Sequence, residues 1–208
     1  MIQCYTREDA ADVPRLFETM HRDRKRVFVD TLKWDIPHDG YREVDQYDTE
    51  AADYLILRDS ASGQHLGSVR LLPTTGPHML AEVFGFLCEG PVPRGPHIRE
   101  ITRLVVSPDV PVRERLMVRN MLGRAMIEFG LLSGVTKYTA VCDYDFLTQL
   151  LSSGWHITPL GMPQFVGGSL IGALQIRLDH RSLERTNATW RHNAPVLRIV
   201  DCPHALVA

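Results

Sequence analysis

A strand–helix–strand run in the second half of the chain limits the possible folds most. "HIREITRLVVS" (97–107) is rich in β-branched residues and reads as a strand. "RERLMVRNMLGRAMIEFGLLSG" (113–134) reads as a long central helix stopped by Gly134, and "KYTAVCD" (137–143) as the next strand. A helical crossover between strands implies at least one parallel pair. Upstream, "DYLILRD" and "HLGSVRLLP" are strands joined by "SASG", which is a hairpin and hence antiparallel. A mixed sheet covered by helices on both faces follows. "HMLAEVFGFL", "YDFLTQLLSSG" and "RSLERTNATW" read as further helices, and "ALQIRLD" as a late strand. With 208 residues, 44% hydrophobic, the chain is expected to form a single domain spanning 1–208.

Charge and cysteine usage narrow the class. The formal net charge is −2, which suggests neither a nucleic-acid partner nor a membrane surface. Cys4, Cys88, Cys142 and Cys202 lie far apart with no CxxC spacing, as in a reducing cytoplasm. "MIQCYTRED" does not read as a signal peptide. The stretch Gly154 to Ile176, free of Asp, Glu, Lys and Arg, holds five glycines and two prolines and is not a membrane span. A cytoplasmic location without membrane insertion is expected.

The charged residues inside the elements are the informative ones. "DVPRLFETMHRDRKRVF" reads as a helix whose stripe of Val13, Leu16, Phe17, Met20, Val27 and Phe28 also includes Arg24. Arg70 sits mid-strand in "GSVRLLP", as do Glu100 and Arg103 in "REITRLVV". Half-buried charges need partners. From Asp35 to Asp53 the chain carries seven acids and one arginine, with Glu43, Asp45, Asp48 and Glu50 crowded into "EVDQYDTE". A solvated loop, a metal site and a pocket for an organic cation are the three readings. The calcium-loop pattern is absent and no HxH or HExxH spacing occurs, so no metal site is assigned. The solvated loop is the default reading of the stretch alone; the buried arginines, for which the acidic loop is an available partner, weigh against it.

Together "RKRVF", Trp34, "EVDQYDT", "GSVRLLPTTGPHML", Phe84 and "REITRLVV" resemble the LuxI-type acyl-homoserine-lactone synthases, most densely from Arg24 to Val106. The resemblance implies a GNAT-like three-layer α-β-α sandwich. It implies transfer of an acyl group from acyl-carrier protein, or in some relatives acyl-CoA, to the α-amine of S-adenosylmethionine. Lactonisation then releases methylthioadenosine, and the product is a quorum-sensing signal. Adenosylmethionine is a substrate, so no cofactor is implied, and oligomeric state is left open. Carried over, Arg24, Phe28, Trp34, Asp45, Asp48, Arg70, Phe84 and Arg103 belong to the adenosylmethionine pocket. Glu100 is the candidate general base, with Arg103, Asp45 and Asp48 beside it.

Aromatic faces suit a sulfonium, an arginine fork suits a carboxylate, and a placed carboxylate suits removal of the amine proton. In a flat strand Glu100 and Arg103 point to opposite faces, so if both serve one pocket the strand must be bulged between them. Such a bulge would open a gap for a thioester, with backbone N–H groups for its oxyanion. Met79, Leu80, Phe84, Leu122, Met126, Ala140, Val141, Phe146 and Leu150 are candidates for the acyl pocket. Ala140 stands where the family often has threonine, which favours an acyl chain without a 3-oxo group. Arg113, Arg115, Arg119 and Arg124, or Arg177, Arg181 and Arg185, are candidate carrier-docking faces. Two rival readings stand beside this one. A generic N-acetyltransferase would place a Gly-rich loop where this chain has "PVRERLMV"; a binding homologue would hold adenosylmethionine without turnover.

Overall fold

The computed structural model describes residues 1–190 and 194–198; Cys202 lies outside them. In chain order the elements are β1 (Ile2–Tyr5), α1 (Pro14–Arg24), β2 (Asp53–Arg58), β3 (His65–Pro73), α2 (Met79–Glu82), β4 (Ile98–Val106) and α3 (Val112–Leu132). Then come β5 (Lys137–Asp143), α4 (Tyr144–Leu151), β6 (His156–Pro159), β7 (Gln164–Val166), β8 (Ser169–Arg177), α5 (Ser182–Trp190) and β9 (Leu197–Arg198). The chain folds as two compact units, one built mainly from Met1–Leu71 and Arg103–Met126, the other from Leu72–Thr102 and Ile127–Pro195.

In the first unit β1 pairs antiparallel with β2 and parallel with β9, and β2 pairs antiparallel with β3. Ile2, Leu55, Ile56, Val69 and Leu71 are fully buried. Near-continuous burial along β2 and β3 is what a sheet covered on both faces requires. Phe17 of α1 meets Tyr5 and Tyr54 edge-on at 6.2 and 5.4 Å, which docks the helix on this sheet. A Cβ on Gly67 would lie 2.7 Å from Val118, so only glycine lets α3 approach β3 this closely.

In the second unit β5 runs parallel to β4, from Ile98↔Lys137 to Ile101↔Ala140, and antiparallel to β8, which also pairs with β6 and β7. The crossover through α3 thus joins parallel neighbours, as the sequence requires. Gly134 ends that helix region at φ +70, a left-handed cap. The sheet is mixed and helices cover it, which is the expected α/β arrangement.

Several local expectations change. The α1 stripe continues past Arg24, but Lys25–Thr31 winds as a π-helix. "HMLAEVFGFL" is one short helix followed by a 3-10 turn, Gly85–Leu87, rather than a single helix. The glycine-rich run 154–176 builds β6, β7 and most of β8. Glycine content hid short strands separated by turns at Gly167 and Gly168, both at positive φ.

β4 departs from flat-strand geometry at Arg103, at the end of the segment where a bulge is expected. Glu100 and Thr102 are buried in alternation, and Arg103 is then buried as well. Its φ is +51, a left-handed conformation that arginine rarely adopts. Both strands of the β4–β5 pair continue beyond the last registered pair at Ile101↔Ala140.

Candidate active site

Within the first unit, α1, the acidic loop, β3 and the end of β4 converge on a closed ionic network. Arg24 is 1% exposed, so it is buried rather than reaching for solvent. Its Nε donates to Glu43 Oε2, while Nη1 and Nη2 donate to the two Asp48 oxygens at 2.8 and 2.9 Å. Arg70 grips Asp45 with both Nη atoms at 2.6 and 3.0 Å, and its Nη1 lies 2.8 Å from Asp48 Oδ1. Arg103 donates Nε and Nη2 to Glu43 Oε1 at 3.1 and 2.9 Å, with Nη2 also 2.7 Å from Asp45 Oδ2. Three guanidiniums and three carboxylates therefore neutralise one another.

Asp45 and Asp48 of the acidic stretch are thus each paired with two arginines. Glu43, part of the stretch but not assigned to the pocket from sequence, is the fully buried link between Arg24 and Arg103. Tyr54 is a second unassigned member, donating to Asp48 at 2.8 Å. Glu50 is exposed. Among the described residues no group of three or more His, Cys, Asp and Glu is arranged to hold a metal.

Burial alone would raise the Asp48 and Asp45 carboxyls, but the guanidiniums of Arg24 and Arg70 outweigh it and hold both below the usual range. Burial, reinforced by Asp48, pushes the Tyr54 phenol up. His21, at the rim of this network, is pushed down to about 4 by burial and then by Arg24. Burial also lowers His65 and His78. A histidine held neutral in the fold takes up protons only on unfolding. Its contribution is complete above the unfolded value near 6.5 and is lost as pH falls toward the folded value. For His21 that amounts to on the order of 3 kcal/mol. The urea midpoint is therefore expected to fall between pH 6.5 and 4. His21→Phe should flatten that slope, and an unchanged slope would show that His21 does not contribute.

The π-helical turn explains the aromatic pair. It turns Phe28 under Trp34, whose backbone N–H donates to the Phe28 carbonyl at 2.9 Å. The rings stack at 4.9 Å and 15°, with Trp34 still 36% exposed. Arg103 sits 5.6 Å over the Phe28 ring. Arg24, Phe28, Trp34, Asp45, Asp48, Arg70 and Arg103 are thus brought together as expected.

Glu100 belongs to the second unit. Its Oε2 and Oε1 accept the N–H groups of Met79 and Leu80 at 2.8 and 2.7 Å. The His78 side chain does not cap α2, so a strand carboxylate caps the helix instead. Leu80, Leu87 and Ala173 form a core with Phe84 and Val141 packed against it. Of the candidate acyl-pocket residues, Leu80, Phe84 and Val141 meet in this core. Val141 faces the same side as its partner Ala173, whereas Ala140 pairs with Leu174 on the opposite face. Met79 is half-buried, Leu122 and Met126 are buried on α3, and Leu150 is half-buried on α4. Phe146 lines a hollow with Tyr144, Gln149 and Leu170.

Of the candidate docking arginines, Arg113, Arg115, Arg177 and Arg181 are exposed. Arg124 is 5% exposed and cannot present its charge to a partner. Arg115 braces the carbonyls of Val110 and Pro108, and Arg185 is held by Asp179.

Residues 10–186 match the autoinducer synthase family model. The chain is 33% identical over 181 residues to an acyl-homoserine-lactone synthase of Agrobacterium fabrum, covering 85% of each. It is 31% identical over 172 residues to an isovaleryl-homoserine lactone synthase of Bradyrhizobium diazoefficiens, covering 81% of this chain and 76% of that one. A CoA-dependent acyl-homoserine lactone synthase solved with SAM and isopentyl-CoA superposes with a TM-score of 0.85 at 27% identity, covering 95% of this chain and 92% of that one. The buried arginine–carboxylate network, the stacked aromatic pair and these likenesses converge: the chain belongs to the autoinducer synthase family and is an acyltransferase of the acyl-homoserine-lactone synthase class.

Proposed function

We propose that this chain acylates the α-amine of S-adenosylmethionine from a short-chain acyl-CoA, with Glu100 as general base, and then closes the lactone. The observation that carries the reading is the Glu43–Asp45–Asp48 network, which holds three arginines in fixed directions beside the Phe28–Trp34 stack. Arg103 and the aromatic faces take the carboxylate and the sulfonium. The substrate ammonium loses a proton to Glu100, directly or through one water, while the Met79 and Leu80 N–H groups hold the carboxylate in place. The free amine attacks the thioester carbonyl, the C–S bond of the donor breaks, and the thiol leaves with the proton. The methionine-derived carboxylate then attacks its own γ-carbon. The sulfonium C–S bond breaks, methylthioadenosine departs and the lactone remains.

One observation favours CoA over a carrier protein. Two of the structurally similar enzymes, at TM-scores of 0.85 and 0.83, are CoA-dependent. The test is mass spectrometry after incubation with adenosylmethionine and matched CoA and carrier-protein thioesters. Methylthioadenosine and lactone are expected with CoA donors. Turnover with carrier-protein donors alone would overturn the choice of donor. Acylated amine without methylthioadenosine would overturn the lactonisation step.

A further inference from the structure

The last turn of α1 buries Asp23 immediately before Arg24, and Asp23 has its own set of partners. Its Oδ2 lies 2.8 Å from His65 Nδ1, and His65 Nε2 lies 3.0 Å from Ser68 Oγ. The order Asp–His–Ser is that of an activated serine. Two facts exclude that role. Ser68, His65 and Asp23 are 2%, 3% and 3% exposed, so no substrate reaches the hydroxyl. The other Asp23 oxygen is already held, by Arg26 Nη1 at 3.0 Å, and Arg26 in turn grips both oxygens of Asp109. Ser107, just after β4, also hydrogen-bonds the Asp23 carboxylate.

The hydrogen inventory closes with a neutral imidazole. Nδ1–H donates to Asp23, and Nε2 accepts the Ser68 hydroxyl proton. Burial keeps His65 in that form. Asp23 therefore collects donors from β3, from the loop after β4 and from the π-helical turn, at the place where α1 gives way to that turn. Arg24 is the next residue, and Phe28 follows about one turn later.

We propose that His65 and Asp23 are positioning residues of the synthase reaction: they pin the α1–π junction to β3 and so set the directions in which Arg24 and Phe28 leave the backbone. The inference rests on the reading that Arg24 and Phe28 serve the adenosylmethionine pocket. A junction pinned on one side by Asp23 and used on the other by Arg24 cannot shift without moving the guanidinium off Asp48. Misplacement of about 1 Å at such a group costs up to ~100-fold.

Steady-state kinetics of His65→Leu, His65→Asn and Asp23→Asn test this. His65→Leu keeps the bulk and removes both hydrogen bonds; His65→Asn retains a donor toward Asp23. His65→Leu is expected to raise KM for adenosylmethionine about ten- to hundredfold with KM for the acyl donor unchanged, and His65→Asn to recover most of the loss. If His65→Leu does not fold, Asp23→Asn, which keeps the shape and weakens the tether, is expected to shift the same KM in the same direction. A lower melting temperature with KM for adenosylmethionine within twofold of the parent would overturn the proposal, since a merely structural role gives that result. Calorimetry with adenosylmethionine on the parent protein separates the two readings. No binding to the parent overturns the pocket assignment itself. Binding of equal affinity by parent and variants overturns only the positioning role.

Discussion

Arg24→Met is expected to destabilise the protein by about 3–5 kcal/mol at pH 7, the cost of leaving buried carboxylates without their partner. The methionine fills much of the same volume, so the loss is electrostatic rather than a cavity effect. Glu43 retains Arg103 and Asp48 retains Arg70, which places the loss within that range rather than above it. The pH dependence identifies the cause. The Asp48 carboxyl is held low in the fold, against burial, by Arg24 and then Arg70. A depressed carboxylate contributes stability above its unfolded value near 3.9, and that contribution disappears as pH falls through the folded value. The gap between parent and variant in urea unfolding should therefore narrow with acid. A loss below about 1 kcal/mol would mean that the pair behaves like an exposed one, which its burial does not allow.

The second large effect is on rate. Glu100→Gln is expected to lower kcat for methylthioadenosine release by about 10²–10⁴-fold, the usual worth of a positioned base. The substitution is not silent structurally. Both Glu100 oxygens accept backbone N–H groups, and glutamine must turn an NH₂ toward either Met79 or Leu80. A stability loss of about 1–3 kcal/mol should accompany the change. The two effects separate in the pH profile: loss of the base removes the acid limb of kcat, whereas disturbance of α2 lowers rate evenly across pH. Full activity in Glu100→Gln would eliminate the residue as base.

Much of this site was legible because periodicity reports burial. Arg24 stands out four residues after Met20 on an apolar stripe, and Arg70, Glu100 and Arg103 stand out within β-branched runs. A charge at such a position needs a partner, and the nearby acids of 43–48 were available. What periodicity cannot report is which carboxylate meets which guanidinium. Arg24 and Glu43 are 19 residues apart, and Arg103 and Glu43 are 60 apart. Nor does spacing reveal that Glu100 caps α2 or that Tyr54 closes over Asp48, since both depend on how strands and helices dock.

The amino-acid sequence by itself determined the strand–helix–strand crossover, the β2–β3 hairpin and the set of charges that must be buried, because these follow from local spacing and turn chemistry. Tertiary structure decided the rest. Strand register put Ala140 and Val141 on opposite faces, a shift of one residue being enough to exchange them. The left-handed backbone at Arg103 is held by packing against an intrinsic preference for extended geometry. The π-helical turn that brings Phe28 beneath Trp34 is tied within itself by Lys25 to Asp30 and to a distant loop by Arg26 to Asp109. Local sequence sets which faces are buried; only the competition among long-range contacts selects the partner each buried charge receives.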